Sequence, residues 1–205
     1  MDIEFKISKN PVNYKKALQL LEKRVEEVKK GGRELVWFLE HPTTYTAGIR
    51  YKKEEILDNS INVIKTNRGG KITLHNPGQK IVYFVIDLNR RKKNIRNLVR
   101  EIENIIIKFL KIYKIKSYAD KKNIGIWVNR KKIAAIGIRV SRWVAYHGFS
   151  ININNDLDGY KKIIPCGLDN EKITSFEKEG KESFNINRNL RNIFLKNLPK
   201  IWYFF

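Results

Sequence analysis

The sequence is poor in the features that define several classes of protein. It has one cysteine, Cys166, so no internal disulfide can form and a reducing cytoplasm is the expected compartment. No stretch approaches the ~20 consecutive apolar residues that a bilayer requires, so no membrane span is predicted. The segment Met1 to Ser8 alternates charged and apolar residues and does not resemble a signal or transit peptide.

Metal and nucleotide motifs are also missing. The three histidines, His41, His75 and His147, are far apart and lack the spacing of metal ligands. His75 and His147 precede turn-like residues, which allows them to line a pocket, although structural hydrogen bonding is the default role of a lone histidine. The spacing of a phosphate-binding P-loop is absent. We therefore expect no metal and no cofactor.

Acidic residues are scarce relative to basic ones. The 205 residues include 42 Lys+Arg and 21 Asp+Glu, which gives a formal net charge of +21. This charge favours an acidic partner, either nucleic acid or an acidic protein, but a compositional bias toward lysine explains it equally well. The chain is 42% hydrophobic and 11% aromatic, enough for a substantial core, so disorder throughout is excluded.

The apolar patterning predicts an α+β or mixed α/β fold, with a mixed, largely antiparallel sheet flanked by helices. No repeat or linker divides the chain, so residues 1–205 are expected to form a single catalytic domain. Strands are predicted at 3–7, 34–40, 62–65, 71–74, 80–88, 125–128, 132–140 and 144–153, the pair 125–128 and 132–140 as a hairpin. Helices are predicted from Asn10-Pro11 to the Gly31-Gly32 break and over about 94–113, and weaker ones over 156–161 and 188–196.

Two places in the chain carry residues suited to chemistry. Cys166 stands between Pro165 and Gly167, neighbours that suit an accessible thiol, although most lone cysteines are small buried hydrophobes. Lys132 opens the apolar, small-residue segment 132–137, where a partly desolvated lysine can exchange a proton with a thiol; an ordinary turn lysine is the alternative. The pair Gly69-Gly70, flanked by Arg68 and Lys71, lets backbone N–H groups approach a ligand, although most such pairs are simply turns.

The motifs of this sequence occur in the same order as those of a known protein family. The stretch 67–79, Asn-Arg-Gly-Gly-Lys-Ile-Thr-Leu-His-Asn-Pro-Gly-Gln, closely resembles the Arg-Gly-Gly-x-x-Thr-x-His-Gly-Pro-Gly-Gln motif of the lipoyl(octanoyl) transferases. The stretches 125–140 and 147–153 resemble that family's central block, followed at suitable spacing by Ile-Pro-Cys-Gly at 164–167. The resemblance covers about residues 35–176. Asn76 departs from it, because the family usually has glycine there, and an asparagine tolerates the left-handed backbone better than most residues.

The resemblance implies a function and a site. Cys166 takes the acyl group as a thioester, and Lys132 lowers the pKa of this thiol. The reaction moves an octanoyl group from acyl-carrier protein to a lysine of the lipoyl domains of 2-oxoacid dehydrogenase and glycine cleavage complexes, in lipoate biosynthesis. The fold implied is that of the biotin/lipoate protein ligase superfamily. The acyl pocket maps onto Arg68, Gly69, Gly70, Lys71, Ile72, Thr73, Leu74, His75, Ala135, Ile136, Gly137, Gly148, Phe149 and Ser150.

Two alternatives remain open. One is a related lipoate or biotin protein ligase that activates its acid with ATP; against it, the glycine segment lacks further Gly and Arg positions, and Pro-Cys-Gly is a transferase feature. The other is a basic nucleic-acid-binding module. It requires exposed aromatics among the basic residues, whereas aromatics such as Trp37 and Phe84 fall inside apolar runs, so binding to nucleic acid is not expected.

Overall fold

The computed structural model describes residues 3–91, 93–120, 123–165 and 172–202. Ten strands and three α-helices lie within these ranges. The strands are β1 (Ile3–Ile7), β2 (Glu34–Leu39), β3 (Thr44–Ala47), β4 (Val63–Lys65), β5 (Ile72–His75), β6 (Gln79–Asp87), β7 (Tyr118–Ala119), β8 (Ile126–Val128), β9 (Lys131–Ser141) and β10 (Val144–Asn152). The helices are α1 (Tyr14–Lys29), α2 (Ile95–Ile112) and α3 (Ile186–Trp202), and short 3-10 turns lie at Lys53–Glu55, Leu88–Arg90 and Asp158–Lys162.

Seven strands form one large sheet in the order β1-β2-β6-β10-β9-β8-β7. Strands β1 and β2 are parallel, and every other neighbouring pair in this sheet is antiparallel. The predicted mixed, largely antiparallel sheet flanked by helices is therefore confirmed. A second sheet has the order β4-β3-β5.

The helices pack on opposite faces of the large sheet. On one face, α2 and α3 bury side chains such as Phe84, Phe109 and Phe194 in one core cluster. On the other face, α1 packs Leu21 against Trp37 and its neighbours. The apolar residues of α1 recur every three or four positions, and this spacing produces a single buried stripe. Because α1 covers only part of its face, the rest of the face is left for the small sheet.

Helix α1 begins later than the sequence predicted. Its N-cap is Asn13, whose side chain accepts a hydrogen bond from the Lys16 N–H at 3.2 Å. The prediction that Asn10-Pro11 opens the helix is wrong. The reason is tertiary, because the Val12 N–H donates to the Glu40 carbonyl at 2.8 Å and thereby holds this segment extended beside the end of β2.

Strands β5 and β6 flank the turn that the sequence predicted, but they do not pair with each other. Strand β5 pairs with β3, which the sequence did not predict, whereas β6 lies in the large sheet between β2 and β10. The turn joins the two sheets. It is held by the Gly78 N–H, which donates to the Glu40 carboxylate at 2.9 Å, and by a φ of +84° that suits glycine.

None of the described helices is long and apolar enough to cross a membrane.

Candidate active site

A cavity lies between β5 of the small sheet and the α1 side of the large sheet. Its empty space is about 480 Å³, including the part that is open to solvent. Twelve of the fourteen residues predicted for the acyl pocket line it: Arg68, Gly69, Gly70, Lys71, Thr73, His75, Ala135, Ile136, Gly137, Gly148, Phe149 and Ser150. The structure thus brings together three stretches that are far apart in the sequence.

The register of the large sheet explains the shape of this cavity. Gly148 of β10 lies opposite Gly137 of β9 and Tyr83 of β6, and Ser150 lies opposite Ala135 and Ile81. The neighbours Ile136 and Phe149 also line the cavity, but their side chains pack in the core on the opposite face of the sheet, with α2 and α3. Small residues on two adjacent strands therefore leave a groove along the sheet.

Two predicted pocket residues do not line the cavity. Ile72 and Leu74 are fully buried in the core of the small sheet, with Tyr160 and Ile163. Because side chains alternate along a strand, β5 turns only Thr73 and His75 toward the large sheet. The sequence motif therefore mixes residues that face the cavity with residues that hold the strand in place.

The paired glycines serve a close backbone contact. The Gly69 N–H donates to the Ile138 carbonyl of β9 at 3.3 Å, and a Cβ at Gly69 would lie 2.8 Å from that oxygen. Gly70 has a φ of +91°. The glycines therefore allow the loop to pack against β9. The sequence had suggested instead that they let the backbone approach a ligand.

Arg68 is buried, with an exposed fraction of 8%. Its guanidinium donates to the Thr46 carbonyl at 2.7 Å, to the Thr46 hydroxyl at 2.9 Å and to the Gly69 carbonyl at 3.0 Å. Its Nε has no hydrogen-bond partner, and no carboxylate among the described residues pairs with it. The site thus contains a positive charge that is fixed by backbone carbonyls.

Lys132 lies beside a second, smaller cavity that shares Thr73, Ala135 and Ser150 with the first. The lysine is 5% exposed, and its Nζ donates to the Ile124 carbonyl at 3.0 Å and lies 5.0 Å from the centroid of the Trp127 ring. Pro165 lines the same cavity. Cys166, the predicted nucleophile, lies outside the described residues.

The three histidines, spread over 107 positions of the sequence, lie close to one another or to the cavity. The His41 Nε2 and the Tyr83 hydroxyl are 2.9 Å apart, and the His41 Nδ1 is 2.5 Å from the Val12 carbonyl. The His75 Nδ1 is 2.7 Å from the Gln79 side-chain oxygen, and the His147 Nε2 is 2.8 Å from the Asn67 oxygen. Each ring therefore donates one N–H to an oxygen and keeps the other nitrogen as an acceptor.

Burial holds these histidines neutral at pH 7. It lowers the pKa of His41 to about 4 and the pKa of His75 and of His147 to about 3. Burial also raises the pKa of Tyr83 well above its usual value. No group of three or more metal-ligating side chains occurs in the described ranges.

Asn76 does not use the left-handed backbone that the comparison with glycine suggested. Its side chain donates to the Asp156 carbonyl at 2.7 Å and accepts from the Asn155 amide at 3.0 Å. The positive φ of this turn belongs to Gly78. The asparagine therefore ties the turn to the loop that follows β10.

Comparison with known proteins identifies the family. The model of the lipoyl protein ligase A/B catalytic domain matches residues 13–196. A protein of Anaplasma phagocytophilum (strain HZ) named octanoyltransferase is 46% identical over 189 residues, which cover 89% of this chain and 91% of the relative. An octanoyltransferase of Wolbachia sp. subsp. Brugia malayi (strain TRS) is 39% identical over 202 residues, 95% of this chain and 98% of the relative. The chain belongs to the octanoyltransferase family. It is an acyltransferase of lipoate metabolism.

Solved structures of more distant relatives share the fold. A putative lipoate protein ligase from T. acidophilum, with bound lipoic acid, superposes with a TM-score of 0.80 at 15% identity, over 97% of this chain and 86% of that one. The biotin protein ligase from Aquifex aeolicus superposes with a TM-score of 0.53 at 14% identity, over 98% and 70%. These likenesses show that this chain shares the fold of lipoate and biotin protein ligases, as expected.

Sequence reasoning left several residues of this octanoyltransferase family site out of its list. Ile81 and Tyr83 also line the cavity, and so does His147, which was allowed from the sequence as a pocket-lining residue but left out of the acyl pocket. The alternation of β6 places Ile81 and Tyr83 on one face, but only the pairing with β10 shows which face that is. His147 has a φ of +68°, which is rare for a residue with a Cβ, and its ring stacks on Tyr146 at 4.8 Å. Nothing in the sequence indicated this backbone.

Proposed function

We propose that this enzyme transfers an octanoyl group from acyl-carrier protein to a lysine of lipoyl domains through a thioester on Cys166. The observation that carries the proposal is the shared cavity of Lys132 and Pro165, which is adjacent to the cavity of the family motif. We propose that the thiol following Pro165 in the sequence works with this buried amine, at one end of a groove suited to an acyl chain. We further propose that residues 1–205 form one catalytic domain, working in the cytoplasm.

The first half-reaction is an exchange of thioesters. The Cys166 thiolate attacks the octanoyl carbonyl, a C–S bond forms to the enzyme, and the C–S bond to the carrier breaks, which releases the carrier thiol after protonation. The Lys132 ammonium stabilises the thiolate and donates that proton. Reactant and product are both thioesters, so the step is nearly balanced and needs no ATP.

The second half-reaction forms an amide. The amine of the acceptor lysine attacks the enzyme thioester, neutral Lys132 takes its proton, and the C–S bond breaks to regenerate the thiolate. Conversion of a thioester to an amide is downhill, so the second transfer draws the first forward. The acceptors we propose are the lipoyl domains of 2-oxoacid dehydrogenase and glycine cleavage complexes.

The groove supplies binding energy for the acyl chain. Seven carbons beyond the carbonyl, at about 0.8 kcal/mol per CH₂, contribute on the order of 5 kcal/mol before ordering costs. Ala135, Gly137 and Gly148 line the groove with little side-chain volume. Gly148 is also required by the sheet, since a Cβ there would lie 1.9 Å from the Val82 carbonyl oxygen.

The proposal is tested by intact mass of the enzyme after incubation with octanoyl-acyl-carrier protein. The wild type should gain one octanoyl group, and Cys166→Ala should gain none. Lys132→Met keeps the apolar stem and should slow acylation by about 100-fold or more. The matched control is Lys131→Met, because Lys131 is exposed in the same hairpin. Normal turnover by Cys166→Ala would refute the covalent mechanism.

An ATP-dependent ligase is the second candidate, and Arg68 favours it. A buried guanidinium without a carboxylate partner suits a phosphate group, and one fold relative at 16% identity is a lipoate-protein ligase A bound with ATP. This candidate predicts release of pyrophosphate from ATP with free octanoate and without acyl-carrier protein. Under the transferase proposal, free octanoate and ATP produce no octanoylated lipoyl domain.

A further inference from the structure

The buried side chain of Lys132 is held by β8 and by the turn that precedes this strand. The Lys132 Nζ donates to the Ile124 carbonyl at 3.0 Å and lies 5.0 Å from the centroid of the Trp127 ring. We define the lysine cradle as Ile124, Gly125 and Trp127. The proposed chemistry uses the lysine but assigns no role to these three residues.

An irregularity in the pairing of β8 with β9 places the Trp127 ring over the lysine. Ile126 lies opposite Ala134, and regular pairing would continue with Trp127 opposite Ile133. Instead Trp127 lies opposite Lys132, so β9 contains one extra residue at this point. Directly opposite residues of an antiparallel pair project to the same face of the sheet. The bulge therefore brings the indole ring and the amine together, and bulges that redirect side chains are frequent next to active sites.

Trp127 also holds the turn that carries the Ile124 carbonyl. Its indole N–H donates to the Asn123 carbonyl at 3.0 Å. Gly125 has a φ of +137°, and a Cβ there would lie 3.0 Å from the Lys132 Cε, so the backbone of the turn packs directly against the stem of the lysine. Through its ring Trp127 contacts the amine, and through its N–H it fixes the amine's hydrogen-bond acceptor.

The lysine cradle leaves part of the amine available for the reaction. The Ile124 carbonyl occupies one N–H of Lys132, and within the described ranges the amine has no second hydrogen-bond partner and no carboxylate partner. A neutral amine still has N–H groups, so the carbonyl can hold both protonation states that the proposed mechanism uses. The ring attracts the ammonium form where burial excludes water. The flexible stem is thereby ordered before a substrate arrives.

We propose that Trp127 is a positioning residue, which holds the Lys132 amine at the place where it exchanges protons with the reacting groups. The inference rests on the proposed octanoyl transfer, in which Lys132 is the acid and the base. Trp127 is not among the described residues that line the two cavities of the site, so it acts through the lysine. An amine that leaves this place slows the chemistry without weakening substrate binding. Loss of the ring therefore lowers kcat and leaves KM nearly unchanged.

Two substitutions separate the ring of Trp127 from its N–H. Trp127→Phe keeps a ring face over the amine and loses the hydrogen bond to Asn123, whereas Trp127→Leu loses both. With octanoyl-acyl-carrier protein as the donor, kcat should fall by about 30-fold in Trp127→Leu and by about fivefold in Trp127→Phe, with KM within about twofold of wild type. A kcat for Trp127→Leu within about twofold of wild type overturns the proposal.

A double-mutant cycle with Lys132→Met distinguishes positioning from a merely structural role. If Trp127 acts through the lysine, Trp127→Leu should change the residual kcat of Lys132→Met by less than about twofold. A residue that only stabilises the fold would slow both backgrounds by the same factor. That result overturns the positioning role and leaves the octanoyl transfer standing. Wild-type turnover by Lys132→Met overturns the role of the lysine and the inference with it.

A matched control exists at the opposite end of β9. The Lys93 Nζ lies 5.5 Å from the centroid of the Trp143 ring, in the turn between β9 and β10. Trp143→Leu removes the same kind of pair and should keep the wild-type kcat. If Trp127→Leu does not fold, Trp127→Phe is placed in the same cycle, and its fivefold loss should disappear in the Lys132→Met background; an equal loss in both backgrounds overturns the inference. A wild type that transfers no octanoyl group overturns both proposals.

Discussion

At the scale of single residues, the site contains histidines that would be hydrated and partly protonated if they were exposed to water near neutral pH. His41, His75 and His147 are neutral because burial disfavours the imidazolium, while their N–H groups donate to oxygens that hold each ring in one tautomer. Neutral rings can line an acyl groove, whereas charged rings would carry hydration that an alkyl chain would have to displace. Under the proposed function, the neutrality of His75 and His147, which line the cavity, suits the binding of an acyl chain.

This neutrality predicts a loss of stability in mild acid. The folded-state pKa values are about 4 for His41 and about 3 for the other two, below the value of about 6.5 in the unfolded chain. Between these values the unfolded chain binds more protons, so the free energy of unfolding falls as pH is lowered from about 6.5 toward 4. Each imidazole contributes a slope of up to about 1.4 kcal/mol per pH unit.

The measurement is urea unfolding at several pH values between 7.5 and 5. The variant His147→Asn tolerates the left-handed backbone and keeps an amide that can donate to Asn67. Because one of three linked protons is removed, its slope should be about two thirds of the wild-type slope. An identical slope in the two proteins would show that His147 is not a buried neutral group.

At the scale of elements, the hairpin of β8 and β9 positions Lys132. Its two-residue turn consists of Asn129 with a φ of +47° and Arg130 with a φ of +64°. This is the type I′ geometry, in which asparagine followed by glycine is preferred. The sequence predicted the hairpin correctly, because a turn signal of this kind is local, but it left residues 129–131 between the strands, whereas β9 already begins at Lys131.

The turn predicts a stabilising substitution. Arg130→Gly relieves the left-handed strain of a residue that has a Cβ and should raise the free energy of unfolding by about 0.5–1 kcal/mol. Arg130→Ala removes the same charge and side chain but keeps the strain, so it should give no gain. Thermal unfolding of the three proteins distinguishes backbone strain from charge, and a similar gain in both variants would indicate that charge repulsion is responsible.

Elements that depend on distant partners were harder to predict. Strand β3 pairs with β5 and β4, and its four residues, Thr-Tyr-Thr-Ala, are too few for their alternation to mark a strand in the sequence. The start of α1 was displaced because Val12 is hydrogen-bonded to β2. Similarly, nothing local in the stretch from Ile72 to His75 shows which of its alternate residues face the cavity.

At the scale of the whole molecule, the net charge of +21 is the largest unusual property. The strands and helices of the described chain bury the aromatics Trp37, Phe84 and Phe109 in cores, so they are not available for stacking on bases. Tyr118, Trp143 and Phe184 are exposed, and under the proposed function the positive charge steers an acidic protein substrate to the enzyme.

Charge steering predicts a dependence on salt. With octanoyl-acyl-carrier protein as the donor, kcat/KM should fall by about tenfold between low and high ionic strength, because screening shortens the range of attraction between the two proteins. Octanoyl-N-acetylcysteamine carries no charge, and its kcat/KM should stay constant. A salt effect of equal size on both donors would show that salt acts on the chemical steps and not on the encounter between the enzyme and acyl-carrier protein.

The sequence by itself determined the family, most strands, the long helices and the segments that form the groove. These depend on local properties: motif order, apolar period and turn residues. Tertiary structure alone decided that β5 and β6 lie in different sheets, that Ile72 and Leu74 face away from the groove, and that Ile81 and Tyr83 line it. Such features arise from contacts between positions up to about a hundred residues apart. Periodicity within a strand defines its two faces but does not show which other element each face contacts.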